Sequence, residues 1–219
     1  MKTTLSRDAL ATYVARQLDH FFPDDFPATQ REIERAIDAA LARLATIVAA
    51  VREPLFHRAG EPWFDHLHSD QYAMFLYLLA NELGTNGGSA EVATKCYLLN
   101  KALHGLDVFY EVKLPRLFLF FHPVGTVLGR ADYADYFMVM QQCIVGNVRS
   151  EYPKLGRGVA LCAASAVLGG AEVGNDVTFG AGSFLIGGKV PANTTVVGRA
   201  KDVRFIPAKE PLWRNYFRA

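Results

Sequence analysis

The chain has 219 residues, 51% of them hydrophobic, with 23 Lys and Arg against 22 Asp and Glu. That length buries a proper core in one or two domains, and a net charge of +1 leaves no basic excess for nucleic acid or an anionic membrane. Three scattered cysteines, Cys96, Cys143 and Cys162, contain no CxxC pair; they read as reduced thiols of a cytoplasmic protein, not as a disulfide frame or a zinc site. The N-terminus, MKTTLSRDALATYVARQLDHFF, mixes charge with apolar residues and lacks the h-region of a signal peptide. The longest apolar candidate, Leu114–Val127, is interrupted by Pro115, Arg116, His122 and Pro123, so no run reaches the roughly 18 residues that span a bilayer.

In chain order, Leu10, Tyr13, Val14, Leu18 and Phe21 recur at helical spacing and predict a helix over 6–22, ended by Pro23 and Pro27. Thr29 followed by Glu32 forms a capping box before a long amphipathic helix carrying Ile33, Ile37, Leu41, Leu44, Ile47, Val48 and Val51. Pro54 and Pro62 bracket a loop with His57, Trp63, Asp65, His66 and His68. A strongly apolar third helix covers Asp70–Leu83, closed by Gly84, Gly87 and Gly88, and Ser89 caps a fourth that runs to about Leu103. The pattern then changes. Leu117–Phe121 and Met138–Val145 look like buried strand, and the polar segment Asn147–Lys154 reads as a projecting loop.

From Leu155 to Val190 the chain repeats in sixes: LGRGVA, LCAASA, VLGGAE, VGNDVT, FGAGSF, LIGGKV. Leu155, Leu161, Val167, Val173, Phe179 and Leu185 lead the hexads; Val159, Ser165, Ala171, Val177 and Ser183 follow four residues later, and Lys189 breaks that rule. Neither an α-helix nor an ordinary strand holds such a period. Hexapeptide periodicity predicts a parallel β-helix, with the aliphatic residue inside a prism, the small residue at a corner and three hexads to a triangular coil. PANTTVVG adds one more face, and Arg199–Ala219 is a polar and aromatic tail in which Trp213, Tyr216 and Phe217 are expected to pack back on a neighbour.

On these residues the chain resembles the serine acetyltransferases over about Leu98 to Val203. GVALCAASAVLGGAEVGNDVTFGAGSFL runs without a gap along the family's GVLIGAGAKILGNIEVGEGAKIGAGSVVL, and VPANTTVVGRAKDV resembles its closing VPPHTTVVGVPARIV. HPVGTVLGRA resembles HATGIVIGETA, whose histidine is the catalytic base, which places that role on His122. The family's orienting aspartate stands fifteen residues earlier, where this chain has Asp107. The resemblance implies an α+β chain: an α-helical domain (1–105), a left-handed parallel β-helix of hexapeptide repeats (106–203) and a C-terminal tail (204–219). It implies an acetyl-CoA-dependent O-acetyltransferase with no tightly bound cofactor and no metal. It also implies a homotrimer with the donor in a groove between copies, and a helical domain able to join two trimers.

For chemistry, a histidine near neutral pKa suits removal of a hydroxyl proton, and a carboxylate on its other nitrogen fixes the tautomer. Asp107 and His122 are expected to meet because residues about one coil apart stack ~4.8 Å from each other. Gly146 and Asn147 are candidate oxyanion donors by position. Ala163 and Ala181 match the family's coenzyme A contacts, and Arg199, Lys201 and Arg204 are candidates for its phosphates, against a reading as solvated tail charges. Tyr152 and Asp70, or Asp65 in its place, are candidates for the acceptor.

The acceptor half departs from the family. Phe121 replaces the aspartate that holds serine's amine, Tyr152 the second histidine, and Glu151 the arginine before it. Serine, another small hydroxyl compound and a sugar or polysaccharide precursor all stay open as acceptors. Two further classes stand beside these, a non-catalytic scaffold or docking partner and a metal-dependent lyase on the same scaffold. The family's C-terminal isoleucine docks a sulfhydrylase, whereas this chain ends Phe217-Arg218-Ala219. The β-helix zinc lyases use three histidines, and no histidine follows His122 here. His66 and His68 with Asp65 have no further ligand at a recognised spacing and read as surface or interface groups.

Overall fold

All the hexad leaders point inward. In the computed structural model, which describes residues 1–24 and 26–218, Leu155, Leu161, Val167, Val173, Phe179 and Leu185 are buried, as are Val159, Ser165, Ala171, Val177 and Ser183. The chain divides into two units, Met1–Ala49 with Glu53–Glu111, and Ala50–Arg52 with Val112–Ala219.

The second unit is a left-handed parallel β-helix of about five turns. Its first face stacks Phe118–Phe120, Phe137–Val139, Ala160–Leu161, Thr178–Phe179 and Thr194–Val197. The second face stacks Val127–Leu128, Ile144–Gly146, Ala166–Leu168 and Phe184–Ile186, and the third Asp132–Tyr133, Lys154–Leu155, Glu172–Val173 and Lys189–Val190. Register aligns one inward column per face: Phe120, Val139, Leu161, Phe179 and Val196 on the first, Leu128, Val145, Val167 and Leu185 on the second. Tyr133, Leu155, Val173 and Val190 form the third. Each buried aliphatic contributes ~1.5–3 kcal/mol, so the columns hold the prism together. An antiparallel strand, Arg204–Pro207, closes the top against Thr194–Val197.

The outward residues of the three faces differ in kind. The third face carries a ladder of alternating charge, Asp132, Lys154, Glu172, Lys189, with Glu172 3.9 Å from Lys154 and 3.2 Å from Lys189. The second face carries Val127, Ile144, Leu168, Phe184 and Ile186, of which Val127 (41%), Ile144 (40%) and Ile186 (53%) are well exposed.

Met138–Val145, expected as one strand, is two strands on different faces with a corner between them. The corner is made by Gln142 at φ +57°, and Gly125, Ala164 and Gly182 take the same left-handed conformation two residues before their own second-face strands. Gly, Ala or an unbranched Gln is tolerated there where a β-branched residue is not.

The first unit is helical. Helix α1 (Arg7–Phe21) is capped by Ser6, whose hydroxyl accepts from the Ala9 N–H at 3.2 Å, and it buries Leu10, Val14 and Leu18. Helix α2 (Phe26–Ala50) starts before the Thr29–Glu32 capping box that the sequence suggests. Pro27 falls in its first turn, where the missing N–H would be unsatisfied anyway. Glu32 instead accepts from the Ser89 N–H at 2.8 Å, at the start of another helix. Helix α3 (Ser69–Thr85) is buried continuously from Asp70 to Leu83, as a central helix must be. Helix α4 (Ala90–His104) is capped by Ser89 and ends at Gly105 with φ +61°. Arg43 on α2 donates to the Asn81 amide oxygen at 2.7 Å and pairs with Glu82 at 2.6 Å on α3, so a buried acceptor is satisfied and a buried charge balanced. The stretch expected as a Pro-bracketed loop holds a hairpin, His57–Arg58 with Glu61–Phe64, and Lys2–Thr3 pairs alongside it. Its turn is Ala59-Gly60, with φ of +52° and +81°.

Candidate active site

Extra residues enter the hexad rhythm at two places, and site candidates lie at both. A regular coil takes eighteen residues, as from Ala160 to Thr178 or Lys154 to Glu172. From Phe120 to Val127 the corner between the first and second faces spans seven residues, against five from Val139 to Ile144, Leu161 to Ala166 and Phe179 to Phe184. The two extra residues bulge the chain. His122 sits in the bulge at φ +52°, its C=O accepts from the Val124 N–H at 2.8 Å, and its side chain is exposed. A histidine held in the left-handed region stores strain that a packing role does not require. Phe121, anchored by its N–H to the Val139 C=O at 2.9 Å, lays its ring 4.6 Å from the His122 ring.

Above His122 the next coil presents Gln141 and Gln142 at this edge, and the two coils after it present small residues. Ala163 and Ala181 occupy one position in successive coils, each just before the left-handed corner residue, and the Gly182 N–H donates to the Ala163 C=O at 2.8 Å. Ala163 is half-buried and Ala181 exposed. Arg199 closes the line: it pairs with Phe184 across the top coil, its guanidinium 5.9 Å from the Phe184 ring. Lys201 and Arg204 follow, both exposed. From His122 to this basic group the edge climbs four coil spacings, or ~19 Å. Cys162, on the same edge, has a thiol pushed up by burial and by Cys143, so it is no thiolate nucleophile. Cys96 in the helical unit is pushed up to about 12 by burial.

The second failure of the rhythm lies between the second and third faces. Ile144 to Ala166 spans twenty-two residues, and the surplus forms a hairpin closed by Val148 and Glu151, with Arg149 and Ser150 at φ +52° and +64°. This is the projecting loop expected from Asn147–Lys154. Gly146 ends the second-face strand and its C=O accepts from the Gly169 N–H at 2.9 Å. Asn147 is exposed beside it. Tyr152 leaves the hairpin with its ring 5.7 Å from the Arg130 guanidinium, a partner that the sequence reading missed. Gly146, Asn147 and Tyr152 thus border the second face opposite the His122 edge.

No protein-family model matches the chain. It is 30% identical over 105 residues to a serine acetyltransferase of Synechococcus elongatus, covering 46% of this chain and 43% of that protein. It is 26% identical over 132 residues to one of Staphylococcus epidermidis, covering 58% and 61%. The chain therefore spans about half the length of the curated relatives it matches. In structure it superposes on the Vibrio cholerae serine acetyltransferase with a TM-score of 0.75 at 24% identity, covering 94% of this chain and 81% of that one. A serine acetyltransferase in complex with CoA gives a TM-score of 0.68 at 19% identity, covering 92% and 86%. In sequence and in fold the chain is similar to these serine acetyltransferases.

In this serine acetyltransferase-like chain, Asp107 and Asp70 lie in the helical unit. Asp107 accepts from the Tyr97 hydroxyl at 2.7 Å and from Lys101 at 2.7 Å, one on each carboxylate oxygen. Partial burial alone would raise its pKa; the bonds from Lys101 and Tyr97 and the charge of Lys101 outweigh that and hold it below the ordinary carboxylate value. Asp107 is therefore an anion at neutral pH. Tyr97 and Lys101 stand one turn apart on α4, a spacing that could have flagged them. Asp70 is buried in the first turn of α3, 3.4 Å from the Ser69 hydroxyl. Nearby His104 is lowered by burial, against the opposing charge of Asp70. Asp65 caps the turn before α3, accepting from the Leu67 N–H at 3.0 Å, with His66 3.8 Å away. Among the described residues no group of three or more His, Cys, Asp or Glu side chains could hold a metal, and no helix is long and apolar enough to cross a membrane.

Proposed function

We propose that this protein is an acetyl-CoA-dependent O-acetyltransferase acting on the hydroxyl of serine or another small acceptor. The observation that carries the reading is the bulged His122, at the foot of an edge that passes Gln141 and Gln142, carries small residues in the next two coils and ends in Arg199 and Lys201. An edge of that shape suits a long, thin donor with a phosphorylated end, acetyl-CoA, bound as a co-substrate. Ala163 and Ala181 leave room for its arm, and Arg199 and Lys201 meet its phosphates as charge-assisted partners.

In this reading the His122 imidazole removes the acceptor's hydroxyl proton as the oxygen attacks the thioester carbon. A carboxylate on the other ring nitrogen would orient the imidazole and balance the imidazolium, the role for which the resemblance offers Asp107. Two of its acceptor positions are engaged by Tyr97 and Lys101, and a carboxylate has others. Gly146 and Asn147 are the candidates for the oxyanion. The carbon–sulfur bond then breaks, the proton on His122 passes to the departing thiolate, and an O-acetyl ester and free coenzyme A leave. Tyr152 is the acceptor-side candidate in the solenoid unit, and Asp70 the one that the sequence offers in the helical unit.

The functional unit in this reading is a homotrimer, with a dimer of trimers as its further assembly. The apolar outward side of the second face supports it, beside a third face whose charges suit water. A trimer also gives Tyr152, Gly146 and Asn147 a use at the border opposite His122, since a site between two copies can draw on both borders.

The test is free-thiol release from acetyl-CoA with serine, homoserine and amino sugars offered separately. Release that depends on an added hydroxyl acceptor is expected. Release that is absent with every acceptor contradicts the reading and leaves a scaffold. Preference for an amino sugar over serine selects the sugar reading, which the aromatic Phe121 beside His122 favours.

A further inference from the structure

The C-terminal tail is not a loose end. After the capping strand Arg204–Pro207 it runs back along the solenoid and is fastened at several points. Trp213 is buried and its indole N–H donates to the Asp176 carboxylate at 2.7 Å. The Trp213 ring lies 4.4 Å from the Tyr136 ring, and the Arg157 guanidinium sits 4.4 Å from the Tyr136 ring and 4.7 Å from the Trp213 ring. Gly158 admits the indole, since a Cβ there would meet its nitrogen at 2.4 Å. Phe217 is fully buried, and Arg52 donates to the Tyr216 and Phe217 carbonyls, each at 2.7 Å. Between these two anchors stands Tyr216, half-buried, its ring 5.4 Å from Phe121 at 65°. Phe121 in turn lies 4.6 Å from His122.

We propose that Tyr216 and Phe121 are specificity-determining residues, forming the wall against which the acceptor lies when its hydroxyl meets His122. The inference rests on the proposed role of His122. Two rings tilted into a notch present apolar faces and edges. Such a wall favours an acceptor whose hydroxyl is carried on a ring or aliphatic skeleton with C–H groups to lay against it, as in a neutral sugar. It offers no carboxylate to repay the dehydration of an ammonium group. Two fixed anchors either side of Tyr216 make this a pre-organised surface, so little ordering is lost when an acceptor binds.

The experiment compares the full chain with Tyr216→Ala and Tyr216→Phe, using acetyl-CoA with methyl glucoside and, separately, L-serine. The expected result is a KM for methyl glucoside raised about 5–10-fold in Tyr216→Ala. The KM for L-serine moves less than about twofold, the KM for acetyl-CoA is unchanged, and Tyr216→Phe behaves like the parent. Equal changes for both acceptors, an unchanged glucoside KM, or no turnover of the glucoside by the parent overturns the proposal. A purely structural Tyr216 shows itself as a lower melting temperature with acceptor KM values unmoved, which also overturns it. If His122→Ala abolishes transfer while Tyr216→Ala is silent, the reading of His122 stands and this proposal falls. If His122→Ala is silent as well, both fall.

Discussion

At the scale of single residues, two groups with displaced pKa values give the helical unit a pH dependence that can be resolved by window. His104 is held below its ordinary 6.5 by burial, although the charge of Asp70 pulls the other way. Above 6.5 it is neutral whether the unit is folded or not. As pH falls below that value the unfolded chain takes up the proton first, so stability is lost down to the lower folded value. Chemical unfolding of His104→Gln at stepped pH is expected to show this slope flattened just below 6.5. Asp107 acts lower: its folded value is depressed, so its contribution is present at neutral pH and disappears as pH falls through that value. Asp107→Asn is expected to cost ~1–2 kcal/mol at pH 7, and less than that difference near pH 3. Little of this was legible in the sequence. Asp107 was found by its offset from His122, but its partners Tyr97 and Lys101 belong to a helix whose facing depends on packing. The αL backbone of His122 was invisible, because it comes from a two-residue surplus that only the coil register reveals.

At the scale of elements, legibility followed regularity. Leu155–Val190 could be read because its coils run eighteen residues until the last, which is one short from Val173 to Val190, and each inward position is filled by an aliphatic or small residue. The coils before it obey the same physics, with Phe120, Val139, Leu128 and Val145 all buried. Their rhythm is broken by the His122 bulge and the 147–150 surplus, so Met138–Val145 read as one strand instead of two. The start of α2 was missed because Thr29 and Glu32 imitate a capping box, while Glu32 serves Ser89. The hairpin around Ala59-Gly60 lacks the alternating strands that would announce it. The Arg149-Ser150 turn has two central residues forced to positive φ, a shape that Asn-Gly adopts at far lower cost. Replacing the pair by Asn-Gly is expected to stabilise the solenoid by ~1 kcal/mol, measured as a raised melting temperature. In Trp213→Phe the indole bond to Asp176 is lost, and the expected cost is ~1–3 kcal/mol with a tail that proteases reach more readily.

At the scale of the whole molecule, the three faces of the prism are assigned by what they show to water. The third face is laddered with charge and suits solvent. The exposed Val127, Ile144 and Ile186 of the second face are of the kind that a further copy covers. Sedimentation of the parent chain is expected to give a multiple of three copies, and Ile186→Glu, which puts a charge into that face, is expected to give single chains. A parent chain that sediments as a monomer would leave the borders of the second face unconnected between copies. Composition showed no basic excess and pointed to reduced thiols, but it could not say which face is wet, because that depends on which residue of each hexad points outward.

His122 is the group proposed to take the acceptor's proton. Its most direct test is acceptor-dependent thiol release from acetyl-CoA by the parent chain and by His122→Ala under identical conditions. The account predicts a rate lower by about 10²–10⁴-fold in the variant, with melting temperature and acetyl-CoA binding preserved; equal rates from the two proteins would contradict it.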